Sequence, residues 1–192
     1  MSERRTMILQ AAVRVIARRG IRGLRVEELA EEAGVSTALI YYHFGDRAGL
    51  MRRTLDHINE RAERYTEPAA CPDTDPRAHL EQMLLLELQD APEVVENSTA
   101  WGEVRATAVF DPELREQLRA STEEWNEYAT DLIRRAQEGG TVRADVMADD
   151  AAERLTAMVE GLSERWLSGS ASLERVRELL RGAIVGELGP PD

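Results

Sequence analysis

The 192-residue chain is predicted to be all-α, and two observations carry that expectation. Ala, Leu, Glu and Arg dominate while aromatic residues make up only 5 %, the usage of helix formers rather than of strands. Apolar residues recur at i, i+3, i+4 and i+7 along most of the chain, and prolines and glycines fall between the periodic stretches. The expected architecture is a three-helix domain over residues 1–47 followed by a larger helical domain over residues 48–192, about nine helices in all.

An amphipathic helix opens the chain through Ile8 to Gly20. Val26, Leu29, Ala30 and Ala33 then mark one buried face of a short helix, and Gly34 ends it by supplying a left-handed residue. Ser36 is the expected N-cap of the next helix. There Leu39 and Ile40 can face inward and Phe44 closes the end, which leaves Thr37, Ala38, Tyr41, Tyr42 and His43 outside. This is a helix-turn-helix pattern. A longer helix follows from Arg47 to Tyr65, with Leu50, Leu55, Ile58 and Ala62 on one side. The stretch from Thr66 to Pro76 has three prolines and no apolar period, so it reads as a loop.

Five more helices are expected. Arg77 to Asp90 carries Leu80, Met83, Leu84 and Leu88; Pro92 to Val109 carries Val94, Trp101, Val104 and Ala108. Pro112 to Glu138 carries Leu114, Leu118, Ser121, Trp125, Tyr128 and Leu132, and Gly139-Gly140 terminates it. Asp149 to Leu167 carries Leu155, Val159, Leu162 and Trp166, and Ser172 to Leu188 carries Leu173, Val176, Leu180, Ala183 and Ile184.

The outward residues of the third helix suit DNA. Hydroxyls and a ring N–H can bond phosphate oxygens, and small or flat side chains can reach base edges in the major groove. A formal charge of −12 argues against a polyanionic partner, but the charge is divided. Residues 1–53 hold ten arginines and six acids, whereas residues 54–192 hold fourteen arginines and thirty acids. Arg4, Arg5, Arg22, Arg25, Arg47, Arg52 and Arg53 cluster in the basic end, and the acidic remainder would repel a duplex and turn that end toward it. The chain contains no lysine, so every basic contact is a guanidinium able to grip phosphate bidentately.

Taken as a set, Ile8–Gly20, VEELAEEAGVS at 26–36, IYYHFGDR at 40–47 and Leu50 resemble the DNA-binding domain of the TetR (tetracycline repressor-like) family. The resemblance implies that Tyr41, His43 and Arg47 contact phosphates, and that Thr37, Ala38, Leu39 and Tyr42 fall where family members read bases, with Ser36 capping that helix. Most members cap the second helix with Ser or Thr; Arg25 stands there in this chain and can reach a phosphate from the same place. Beyond the first domain the resemblance lies in the helix layout and in turns such as Asp111-Pro112-Glu113-Leu114. It implies a homodimeric repressor, joined through its last two helices, that binds double-stranded DNA at a near-palindromic operator and leaves it when a small-molecule effector binds.

Two features of the larger domain bear on those implications. Ala152, Thr156 and Ser163 on one of the last two helices, and Leu179, Gly182 and Gly186 on the other, form small-residue sides that would admit either a partner helix or close packing within the chain. Glu87 and Arg105 sit on apolar stripes where a core wants no unpaired charge. Either they pair or lie at the stripe margin, or Met83, Trp101, Phe110, Trp125, Tyr128 and Met158, with Glu87 or Glu103, line an effector pocket for an apolar or cationic molecule. The resemblance implies such a pocket between the fourth and eighth helices.

Other functions are excluded residue by residue. His43, His57 and His79 lack metal-ligand spacing, Gly161-Leu-Ser163-Glu-Arg165 fails the nucleophile-elbow pattern, and no glycine-rich phosphate loop is present. No catalytic residue, metal or cofactor is expected. With no apolar run near the roughly 20 residues of a membrane span, no signal-peptide core and a lone cysteine, Cys71, a reducing cytoplasmic setting is expected. A helical protein-interaction or ligand-binding module without DNA activity is the alternative; it would account for the acidic body but not for Tyr41, His43 and Arg47 together.

Overall fold

The computed structural model describes residues 3–66 and 75–190, and its described residues form nine α-helices and one short 3-10 turn. Cys71 and most of the expected loop at 66–76 lie outside the described residues. The helices are α1 (Glu3–Arg19), α2 (Val26–Ala33), α3 (Thr37–Phe44), α4 (Arg47–Thr66), α5 (Pro76–Leu86), α6 (Pro92–Ala108), α7 (Pro112–Glu138), α8 (Ala148–Leu167) and α9 (Leu173–Leu188). Each expected helix is present. α1 starts at Glu3, ahead of the expected Ile8, and the largest shift at a C-terminal end is at α5, which stops before Glu87 rather than at Asp90. Side chains end it there: Gln89 Nε2 donates to the Leu86 carbonyl at 2.7 Å and Arg177 donates to the Leu88 carbonyl at 2.9 Å, replacing the bonds another turn would have made.

The chain forms two compact units, one of residues 1–62 and 96–120 and the other of residues 63–95 and 121–192. This differs from the expected division at residue 47. The cause is hydrophobic: the first core takes Ile8, Leu9, Ile16, Leu29 and Ile40 from the head, and also Leu50, Leu55 and Ile58 from α4, Val104 from α6 and Leu114 from α7. α4 is therefore part of the head's core for about half of its length.

Within the first unit, Gly34 takes a left-handed φ of 64° and closes α2, while Val35 N–H bonds to the Ala30 carbonyl at 2.9 Å, the Schellman pattern. Ser36 Oγ accepts the Leu39 N–H at 3.3 Å and starts α3. Asp46 does the same for α4, its Oδ1 accepting the Gly49 N–H at 2.7 Å. A Cβ on Gly49 would run into the Phe44 carbonyl, so the close turn from α3 to α4 requires glycine there.

The second unit packs Leu80, Leu84 and Leu88 against Leu132, Leu155, Val176, Leu180 and Ile184. Arg77, only 4 % exposed, ties α5 to the chain end: it donates to the carbonyls of Thr141 at 2.9 Å and Pro190 at 3.1 Å and pairs with Glu81 at 3.1 Å. Ala152, Thr156 and Ser163 correct the expectation of a free small-residue side on α8, because all three are buried inside this chain, where Thr156 donates to Asn126 Oδ1 at 2.6 Å. The open side of α8 instead holds Ala157, Met158 and Gly161, and that of α9 holds Leu179, Gly182, Val185 and Gly186.

Candidate functional site

The outer face of α3 is presented by its two buried anchors. Ile40 and Phe44 hold the helix on the core, and their spacing turns Ala38, Tyr41 and Tyr42 outward. Tyr42 is 82 % exposed and Tyr41 50 %, a large apolar expenditure for a helix that has nothing in its own unit to cover it. Thr37, Leu39 and His43 are half-buried beside them, with the Tyr42 and His43 rings edge to face at 5.2 Å. All seven side chains assigned to α3 and its cap from the sequence thus lie on one short helix, four of them exposed and three half-buried.

The surrounding arginines divide by what they already bind. Arg14 pairs with Glu32 at 2.8 Å, Arg18 pairs with the same carboxylate, and Arg19 pairs with Glu28 at 2.6 Å. These pairs latch α1 to α2, and the two guanidiniums hold the Glu32 carboxyl below its ordinary range through their hydrogen bonds. Arg53 pairs with Asp56 at 3.1 Å, and the Arg5 guanidinium lies over the Phe44 ring, 5.7 Å from its centroid. Arg47 donates to the Ile21 carbonyl at 3.2 Å, which pins the start of α4 while leaving the side chain exposed. Arg4, Arg22, Arg25 and Arg52 are exposed and enter no ion pair among the described residues. Arg25 has the extended backbone of an N-cap but makes no side-chain cap bond, so its guanidinium is uncommitted.

The residues expected around an effector divide between the units. Trp101, Glu103 and Phe110 belong to the first, Met83, Glu87, Trp125, Tyr128 and Met158 to the second. Trp101 packs against the first core with Arg105 over its ring at 5.6 Å, so Arg105 is the margin residue that the apolar stripe also allowed. Glu103 lies against Gly20, where an added Cβ would come within 2.5 Å of its carboxylate. Phe110 stands 77 % exposed in the turn after α6, and Met158 is 40 % exposed, so neither lines an enclosed space. In the second unit Met83 is buried and Trp125 half-buried against the core. Tyr128 meets His79 there, its hydroxyl 3.3 Å from Nε2, and burial pushes the His79 pKa down.

Glu87 is the most perturbed group. It follows the last turn of α5, half-buried, and accepts a 2.7 Å hydrogen bond from the Tyr65 hydroxyl. Burial pushes its carboxyl up to about 7, against the opposing pull of that bond. Tyr65, Gly49 and the Glu28 and Glu32 latch were not singled out in the sequence. Only Gly49 left a local signal there, three residues after a potential capping aspartate.

Comparison with known proteins accords with this arrangement. Residues 8–54 match the family described as bacterial regulatory proteins, tetR family, and residues 76–189 match the BetI-type transcriptional repressor, C-terminal. The chain belongs to the TetR family. It is 26 % identical over 177 residues to the HTH-type transcriptional regulator BetI of Burkholderia mallei, covering 89 % of this chain and 84 % of that protein. A TetR-family regulator from Rhodococcus sp. superposes with a TM-score of 0.92 at 47 % identity, over 98 % of this chain and 100 % of the other. A transcriptional regulator from Saccharomonospora viridis, solved with choline, superposes with a TM-score of 0.85 at 28 % identity, over 98 % of each chain. These TetR-family relatives are transcriptional regulators, and no helix among the described residues is long and apolar enough to cross a membrane.

Proposed function

We propose that this TetR-family repressor acts in the cytoplasm as a homodimer, bound to a near-palindromic operator and released from it by a small organic cation. The exposed aromatic face of α3, set among uncommitted arginines in a chain of net charge −12, carries the DNA reading. Tyr41, His43, Arg25 and Arg47 hold phosphates, while Thr37, Ala38 and Tyr42, with the half-buried Leu39, face the bases; Ser36 fixes the helix start. Residues 1–47 serve as the reading head and residues 48–192 as the effector and dimerisation part.

The dimer reading is supported by the open sides of α8 and α9. A Cβ on Gly161, Gly182 or Gly186 would meet nothing within 4 Å, and each such glycine costs a helix about 1 kcal/mol relative to alanine. A partner helix packed close against these positions would offset that cost. Two heads are needed because one short helix offers too little contact for operator-level affinity. For the effector, Glu87 gives the second unit a carboxyl that a cation would ionise, and the relative solved with choline supports an ammonium ligand. Met83 and Trp125 supply apolar surface in the same unit. Ligand would favour a conformer whose heads no longer fit the operator.

Fluorescence anisotropy on a promoter fragment, titrated with salt, tests the DNA reading. Tyr42→Ala with Arg25→Ala should weaken binding by about tenfold or more and reduce the salt slope by about one phosphate. Unchanged affinity and slope would overturn it. Choline or tetramethylammonium added to the complex should release the DNA, and Glu87→Gln should abolish that response without altering ligand-free affinity.

A further inference from the structure

The second unit contains a recess whose lining, Tyr128 apart, the effector reading does not use. Residues of α7 and α8 line a groove of roughly 730 Å³, and six of its ten lining residues are acids: Glu123, Glu124, Glu127, Asp131, Asp149 and Glu153. Arg134 is the one cation in the lining, and both carboxylate oxygens of Asp149 already hold it at 3.0 Å. Like charges gathered along one recess raise its free energy unless a cation joins them.

A buried polar group at the same place points to a ligand. Thr130 lines the groove, is only 5 % exposed, and its hydroxyl has no hydrogen-bond partner among the described residues, whereas Thr156 nearby is fully engaged with Asn126 and its own helix. Such a hydroxyl accepts a bond from whatever fills the groove. Tyr128 at the rim is 47 % exposed and keeps its hydroxyl toward His79, so the ring is available to a cation or an alkyl chain.

The spacing of the acids selects the kind of cation. No three acids or histidines among the described residues converge to hold a metal ion. Glu123, Glu127 and Asp131 instead succeed one another at i, i+4 and i+8 on α7, about 6 Å apart along the axis, and Asp149 and Glu153 repeat that step on α8. This row matches a flexible chain of ammonium groups joined by short alkyl spacers. We propose that the α7–α8 groove binds a linear polyamine, its ammonium groups shared between the two rows of carboxylates, one N–H donated to Thr130 and a spacer lying on Tyr128.

Isothermal titration of the full chain with spermidine, without DNA and at moderate salt, tests this. One saturable site per chain is expected. Glu127→Gln with Glu153→Gln should weaken it by about tenfold or more, and Thr130→Val by roughly fivefold. A variant of equal net charge elsewhere, Glu164→Gln with Glu174→Gln, should bind as the parent does. Magnesium at matched ionic strength should not displace the polyamine. Equal weakening by both charge variants, displacement by magnesium, or binding without saturation would reduce the groove to a counterion atmosphere and overturn the proposal. The outcome is independent of the effector reading, since Glu87→Gln should leave spermidine binding unchanged.

Discussion

Two successive turns of α4 meet an acid in opposite ways. Arg61, 8 % exposed, pairs with Glu96 at 2.7 Å in the first unit, whereas Tyr65 donates to Glu87 at 2.7 Å in the second. The geometry is similar but the charge is not. Glu96 receives a guanidinium and is compensated; Glu87 receives a neutral hydroxyl, and burial raises its pKa to about 7. A buried ion pair completed within the chain holds structure, while a buried carboxyl supplied with only one hydrogen bond remains sensitive to protons and to any cation brought to it.

Glu87→Gln should break the comparison with the largest effect. The native carboxyl binds its proton more tightly than an unfolded one, so stability from this group is highest below pH 4.5 and falls as pH rises toward 7. The loss amounts to at most about 3 kcal/mol. The glutamine variant should flatten the melting temperature between pH 5 and 8, and a melting series that keeps the parent slope would remove Glu87 as its source. If the proposed effector is a cation held by Glu87, its affinity should rise as pH passes upward through 7, which a binding titration across that range checks.

A smaller effect is expected on the other side of the comparison. Arg61→Met leaves Glu96 without its guanidinium, but Glu96 is 27 % exposed and can recover water, so the cost should be about 2 kcal/mol. Denaturant unfolding at pH 6 and 8 should show the same cost at both. A cost that doubled across that range would make the two pairs alike. Tyr65→Phe should have the smallest effect, about 1 kcal/mol at pH 8, where Glu87 is ionised and loses its donor. It should also move the pH-dependent midpoint above the parent's, because the removed bond was the influence lowering that pKa.

Much of the DNA-facing end was legible in the sequence because its determinants are local. Gly34, Ser36 and the spacing of Ile40 and Phe44 act within a turn or two, so they prescribe where α2 stops, where α3 starts and which side of α3 is left outside. Glu87 was reached through its apolar stripe with Leu80, Met83 and Leu84, although α5 ends one residue before it. Its partner Tyr65, 22 residues away, left no trace in that stripe. The free side of α8 was misread for a related reason: Ala152 and Thr156 have the small size of an interface residue, but both are buried within the same chain, Thr156 bonded to Asn126 of α7.

The sequence by itself determined the all-α class, the helix spans and the sign of charge at each end, because periodicity, caps and breakers are properties of neighbours along the chain. Tertiary structure decided which arginines are spent on Glu28 and Glu32 and which stay uncommitted. It also drew α4 into the head's core, raised the Glu87 pKa and set the two acidic rows of α7 and α8 across one groove. Each of these depends on distances between residues far apart in sequence, and only packing of the helices fixes those distances.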